Sequence, residues 1–294
     1  MIRYNTRKSR IFDVCNIIVL LLLCLICLVP LWYTLCLSLS SKAAAAAGEV
    51  SMWPVDFNLE AYKALMKDVN FFQSFWVSVK RVLWSLVILF FTVIIMAFPL
   101  SRSKKEFPHR TFFMWLLIFF WMFHGGLVPW FMTMKTYGLM NKAVGLALAG
   151  GLSIYNIILV MNYYRNLPKA IDEAAKIDGA GPWSILFRIY IPMSTPVIAT
   201  VVLFTIVGQW NEFFQGLVLT SYSSKYPLQT YIQQMVVTVN TEIISEAELE
   251  KISQLSNKTM NAAKVFVAMI PVLCIYPFLQ KYFVSGITLG AVKE

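Results

Sequence analysis

The sequence is short of charge. Only 14% of its 294 residues are Asp, Glu, Lys or Arg, and 59% are hydrophobic; soluble domains carry about a quarter charged residues. Too few charges are available to cover a water-facing surface, which excludes a soluble globular chain. Histidine is nearly missing, with His109 and His124 alone. No Ser/His/Asp or Cys/His spacing points to nucleophilic chemistry, so no catalytic residue is expected. The five cysteines, Cys15, Cys24, Cys27, Cys36 and Cys274, all lie in apolar runs. Cys24 and Cys27 share a helical face but lack further thiols or imidazoles, so neither a disulfide scaffold nor a metal site is expected. There is no Gly-x-x-x-x-Gly-Lys-Ser/Thr phosphate loop, and the chain therefore has no usual cradle for ATP.

What the chain has is long apolar runs. A membrane-crossing helix takes roughly 20 mostly apolar residues, at about 1.5 Å of rise each across about 30 Å of hydrocarbon. Six segments qualify, over about 11–39, 77–100, 111–134, 143–163, 196–220 and 262–283. The first follows Arg7, Lys8 and Arg10 and precedes the small run Ala43 to Ala47, as a cleaved leader would. Its apolar stretch is about twice what a leader allows, so it is expected to stay as a helix. The expected fold class is an all-α membrane protein of six transmembrane helices forming one domain over 1–294.

The net charge is +10, from 25 basic and 15 acidic residues. With the N-terminus inside, fourteen of the 25 basic residues fall in inner segments: Arg3, Arg7, Lys8, Arg10, Arg102, Lys104, Lys105, Arg110, Arg165, Lys169, Lys176, Arg188, Lys281 and Lys293. The other eleven are read as outer or at outer helix ends, beside most of the acids. That bias places both termini in the cytoplasm and explains the charge without nucleic acid. Two outer loops are long enough to meet an external partner or to be plain solvated connectors. Residues 41–75 include a short helix near Leu59 to Met66, capped by Asn58 with Tyr62 and Met66 in register. Residues 221–261 are polar and acidic.

The inner segment 164–195 is too long and too patterned for a simple turn. Pro168 suits a first helical turn, and Ala170 to Ile177 are strong helix formers with Asp172 and Glu173 near the positive end of the dipole. Asp178-Gly179 stops that helix, Gly181-Pro182 turns the chain, and Trp183 to Tyr190 form a second short piece ahead of Pro192 and Pro196. A short helix joined to two membrane helices can convert a push from a cytoplasmic protein into rocking of the bundle. Small residues at Ala174, Ala175, Gly179 and Ala180 allow close approach, and Glu173 can pair with a basic group.

Glu173-Ala174-Ala175, Gly179, Ile189 and Pro192 stand at the spacing E-A-A, three residues, G, nine residues, I, two residues, P. This resembles the EAA loop of bacterial ATP-binding-cassette importer permeases. The string EAAKIDGA, the Gly126-Leu127-Val128-Pro129 break, Trp210-Asn211-Glu212-Phe213 and the terminal Gln280 to Val284 with Gly286 and Gly290 to Lys293 are similar to the carbohydrate branch, the maltose-type second permease and the lipoprotein/polysaccharide-type permeases. The resemblance implies a type I importer permease fold in the bacterial cell membrane. It implies that Glu173, Ala174, Ala175, Asp178, Gly179 and Ala180 couple to a cytoplasmic ATPase. The implied partners are a homologous second permease, two copies of the ATPase, which bind the ATP and Mg this chain does not, and an extracytoplasmic sugar-binding protein.

In the fifth span, Gly208, Asn211, Glu212 and Gln215 fall within an arc of about 100° at helical spacing, with Trp210, Phe214 and Leu217 opposite. Ionisable groups at such depth face a bundle interior or a wet cavity. Asn211, Glu212 and Gln215, then Gln209 and Trp210, are therefore the expected substrate path; the other reading is that they hold neighbouring helices or the second permease together. In the third span His124 is read as an interior histidine, and Gly125 and Gly126 before Pro129 suit a hinge or equally a packing kink. A non-sugar importer, an ion-coupled transporter and a membrane enzyme are the competing readings; Glu212 alone, with no inverted repeat, disfavours ion coupling.

Overall fold

The computed structural model describes residues 7–123, 125–238 and 258–291, with side chains described for 9–123, 125–235 and 258–278. His124, most of the acidic loop, and the side chains of the terminal stretch from Gln280 lie outside the described residues. Among the described residues every regular element is a helix and there is no strand.

Packing groups the chain into two compact units, Met1–Val69 with Gln234–Met269, and Asn70–Gln233 with Ile270–Glu294. The first unit opens with α1, Arg7–Ser38, apolar all round and exposed along almost its whole length. From Ile11 to Val29 every residue is exposed among the described residues, and a stretch with no polar face needs lipid or another subunit against it. Then come α2, Lys42–Ala47, and α3, Glu60–Leu65. Asn58 does cap α3, accepting from the Glu60 N–H at 3.1 Å, although Leu59 occupies the cap position. The inward register of α3 runs through Ala61 and Leu65, whereas the expected Met66 is exposed and Tyr62 instead meets the Ser38 hydroxyl at 2.7 Å.

The second unit holds α4, Val69–Ser101, a single helix with a π-helical stretch at Phe90–Ile95. It continues with α5, Arg110–Met122; α6, Leu127–Thr136; α7, Ala143–Ala149; α8, Ile154–Arg165; α9, Lys169–Ile177; α10, Pro182–Met193; α11, Thr195–Asn211; and α12, Phe214–Leu219. Helices α13, Leu228–Thr238, and α14, Lys258–Ala291, follow. Val93, Ala97, Ile157, Val160, Tyr164, Leu186 and Val201 form the centre of the core, where α4, α8, α10 and α11 meet.

Three helices, α1, α4 and α14, are long and apolar enough to span a membrane, and three bent pairs supply up to three more crossings. The third, fourth and fifth expected spans are therefore not straight. The fourth bends by 70° between α7 and α8, where Gly151 takes a φ of 63°. The third is interrupted before α6, with Gly126 at φ 85° as its cap and Pro129 in its first turn. The fifth, expected over 196–220, breaks where α11 stops at Asn211 instead of running to Thr220, and the 80° bend between α10 and α11 falls just ahead of the span. The second span begins eight residues earlier than Val77, at Val69, so Arg81 lies well inside the helix and not at its end.

Candidate functional site

Two constructions in the second unit carry chemistry. The first is the segment between α8 and α11. Pro168 holds the cap of α9, where its missing N–H costs no helical hydrogen bond. At the other end Gly179 adopts φ 77°, and the Ala180 N–H reaches back to the Ala175 carbonyl at 2.9 Å, closing the helix in the left-handed turn that glycine favours. Pro182 then starts α10 at its first position. Glu173, Ala174, Asp178 and Gly179 are exposed on one side, beside Ile177, which is 86% exposed; Ala180 is half-buried. Ala175 departs from expectation: it is buried and packs in the core with α8 and α10, because the inward face of α9 repeats at Asp172 and Ala175.

Asp172 anchors that inward face. Its Oδ2 accepts from Arg102 Nη1 at 2.7 Å and from Lys176 Nζ at 2.8 Å, and Lys176 also pairs with Glu106. The Arg102 guanidinium lies over the rings of Phe98 and Tyr190, 4.2 and 4.7 Å from their centroids. Burial pushes the Asp172 carboxyl up, but the hydrogen bonds from Arg102 and Lys176 outweigh it and hold it below its ordinary value. The hydrogen bond from Lys176 likewise lowers Glu106, and hydrogen bonds to Asp172 and Glu106 raise Lys176. Helix α9 is thus tied to the segment just after α4 as well as to α8 and α10. The i,i+4 pair Asp172 and Lys176 was visible in the sequence; Arg102 and Glu106, about 70 residues away, gave no local sign.

The second construction surrounds the gap between α11 and α12. The buried face of α4 carries Ser74, Ser78, Arg81 and Ser85, a polar stripe at helical spacing in an apolar helix. Arg81 is fully buried. It donates through Nε to Gln209 Oε1 at 2.8 Å, through Nη1 to the Glu212 carbonyl at 3.1 Å and through Nη2 to Gln215 Oε1 at 2.5 Å. The Phe213 carbonyl, freed by the same break, accepts from the Thr230 hydroxyl at 2.7 Å, and Glu212 Oε1 accepts from the Gln215 N–H at 3.1 Å to start α12. A broken helix at membrane depth requires such internal satisfaction of its backbone. Gly216 lets the Pro227–Thr230 strap approach, since a Cβ there would stand 2.1 Å from the Thr230 hydroxyl.

The expected substrate-path residues therefore do not share one helical face. Trp210, expected on the lipid side, is buried and packs edge-on against Phe75 at 5.5 Å. Asn211 is exposed, Glu212 is a cap, and Gln209 and Gln215 hold Arg81. Of the five, Gln209 alone lines a nearby cavity of about 320 Å³, with Ser85, Thr92, Ser153, Tyr155, Asn156 and Thr205. No charged side chain is among those walls, which offer hydroxyls, amides and one phenol. That set suits a neutral or weakly polar, oxygen-rich solute. A larger groove of about 1020 Å³ is walled mainly by apolar residues such as Phe91, Met96, Trp183 and Leu186, and its lining offers a polyhydroxyl solute little beyond the ionic rim of Arg102, Glu106 and Lys176.

Comparison with known proteins adds independent observations. The sequence profile of the family described as "Binding-protein-dependent transport system inner membrane component" matches residues 3–289. Protein LplC of Bacillus subtilis (strain 168) is 34% identical over 291 residues, covering 99% of this chain and 97% of the relative. The polygalacturonan/rhamnogalacturonan transport system permease protein YtcP of the same organism is 32% identical, covering 97% of this chain and 99% of the relative. Among solved structures, a chain of a bacterial ABC transporter involved in the import of the acidic polysaccharide alginate matches at a TM-score of 0.84 and 31% identity, over 95% of this chain and 99% of that one.

Proposed function

The chain belongs to the family of binding-protein-dependent transport system inner membrane components, and on that premise we propose that it is a carbohydrate permease subunit of an ATP-binding-cassette importer in a bacterial cytoplasmic membrane. The observation that carries the reading is the full-length likeness to a chain of the alginate importer. The relatives named for polygalacturonan/rhamnogalacturonan and for diacetylchitobiose support a saccharide as the solute. So do the hydroxyls and amides among the residues of the cavity wall. The chain is a multi-pass transport subunit and performs no bond-making chemistry. The three long helices, the three bent pairs and the placement of lysine and arginine support six crossings with both termini cytoplasmic.

In this assembly a homologous second permease completes the pathway, two ATPase copies bind ATP and Mg, and an external sugar-binding protein delivers the solute. The exposed face of α9, with Glu173, Ala174, Asp178 and Gly179, docks on the ATPase. Closure of the ATPases displaces α9, and two connections pass the motion inward. One is the ion pair of Asp172 with Arg102 at the end of α4. The other is α10, which continues into α11 and so to Gln209 in the cavity wall. The test is reconstitution with candidate partners in lipid, measuring ATPase activity with and without oligosaccharide-loaded binding protein. Stimulation by the loaded protein is expected; failure to associate with any ATPase would sink the proposal.

A further inference from the structure

Arginine has five N–H donors and no acceptor, so each glutamine that meets Arg81 must turn its carbonyl oxygen toward it. The contacts from Nε to Gln209 Oε1 and from Nη2 to Gln215 Oε1 therefore point both amide nitrogens away from the guanidinium. The two nitrogens converge on Gly150. A Cβ built there would stand 3.1 Å from Gln209 Nε2 and 3.9 Å from Gln215 Nε2. Gly150 has φ −71° and ψ −9°, a conformation open to any residue. Its backbone does not demand glycine, so the lack of a side chain serves to keep the space before the amides clear. Gly150 and Gln209 both line the 320 Å³ cavity. Among the described residues, no protein atom accepts a hydrogen bond from either amide nitrogen.

From this geometry we propose that Gln209 and Gln215 form a donor cradle beside Gly150 for an acceptor oxygen of the passing saccharide, a hydroxyl or a uronate carboxylate, and that Arg81 is the positioning residue that fixes their orientation. The inference rests on the carbohydrate reading above. Arg81 is buried behind the amides and does not itself meet the solute. Its charge polarises both amides through their oxygens, which strengthens their N–H groups as donors.

Gln209→Glu separates this role from mere packing. A carboxylate keeps an acceptor on Arg81 Nε, now as an ion pair, but presents an oxygen where the cavity had an N–H donor. Gly150→Ala leaves both glutamines in place and crowds the amide. The full complex, with its own ATPases and binding protein, is reconstituted in proteoliposomes, and uptake is measured for a labelled neutral oligosaccharide and a labelled oligogalacturonate. For whichever probe the wild type carries, both variants are expected to lower uptake roughly tenfold, the scale of one lost oriented hydrogen bond. The Gln209→Glu complex is expected to melt no lower than wild type, since its ion pair replaces a neutral contact. An equal loss on both probes identifies a hydroxyl at the cradle, which both carry, and a larger loss on the galacturonate identifies a carboxylate. Wild-type uptake in both variants overturns the cradle and leaves the glutamines as Arg81's packing partners. Uptake of neither probe by the wild type overturns the carbohydrate reading itself, and the cradle with it.

Discussion

At the scale of single residues, Arg81 is the most informative side chain in the protein. A buried cation in an apolar helix is stable only with its donors occupied, and here three oxygens on and beside the break in the fifth span occupy them. Arg81→Leu strands those three acceptors. At roughly 0.6 kcal/mol for each interhelical polar contact in a membrane protein, the loss should be about 2 kcal/mol, read as a lower unfolding midpoint in detergent. Arg81→Lys should recover part of it. Asp172 sets a second expectation. Its carboxyl is held below the ordinary value of 3.8, so the stability it contributes is complete above that pH and is lost as pH falls through the lowered folded value. Lys176, raised above 10.5, contributes below that pH and loses its part as pH rises beyond it. Asp172→Asn should flatten the acid limb of a melting-temperature profile taken from pH 6 downward.

These residues also mark how far a sequence can be read. The stripe Ser74, Ser78, Arg81 and Ser85 repeats at helical spacing, a pattern any reading could use. Hydropathy obscures it, because the continuous apolar run starts only at Val77 and leaves Arg81 near its outer end. The partners of Arg102 are different in kind. Nothing near Arg102 in the chain announces Asp172, because the pairing exists only once α4 and α9 have packed.

At the scale of elements, α9 was legible almost whole, because its signals are local: a proline at the start, a left-handed glycine at the end, helix formers between. The exposure of each residue was less so. The small size of Ala175 suits an outward docking face, yet the residue packs in the core. Glu173 is exposed, so Glu173→Lys should leave the melting temperature of the chain unchanged while abolishing ATPase stimulation by loaded binding protein. Gly179→Ala meets no neighbouring atom within 4 Å but must hold φ 77°, which costs about 1 kcal/mol and should loosen α9 first, detectable as faster amide exchange there. The break in the third span was announced by Gly125, Gly126 and Pro129, whereas those in the fourth and fifth were not legible from hydropathy, which records composition and not direction. At Gly216 the constraint is steric: Gly216→Ala forces the Thr230 hydroxyl and Pro227 to move, with an expected loss of about 1–3 kcal/mol from overpacking.

At the scale of the whole molecule, low charge and long apolar runs established a multi-pass membrane chain, and one motif of fixed spacing pointed to its family. The composition could not reveal how much of the chain needs other molecules. Helix α1 exposes Ile11, Phe12, Leu21 and Ile26 at more than half of their surface, and this apolar wall has to be covered by lipid or by another subunit. The proposed function carries the same dependence: on that reading another subunit binds ATP and moves α9. The most direct measurement is oligosaccharide uptake by proteoliposomes holding the complete complex, with ATP inside, for wild type and Glu173→Lys side by side. Uptake that requires internal ATP and loaded binding protein, and that is lost in a Glu173→Lys complex of normal melting temperature, is the expected result. Uptake without ATP, or undiminished in the variant, would contradict coupling through α9.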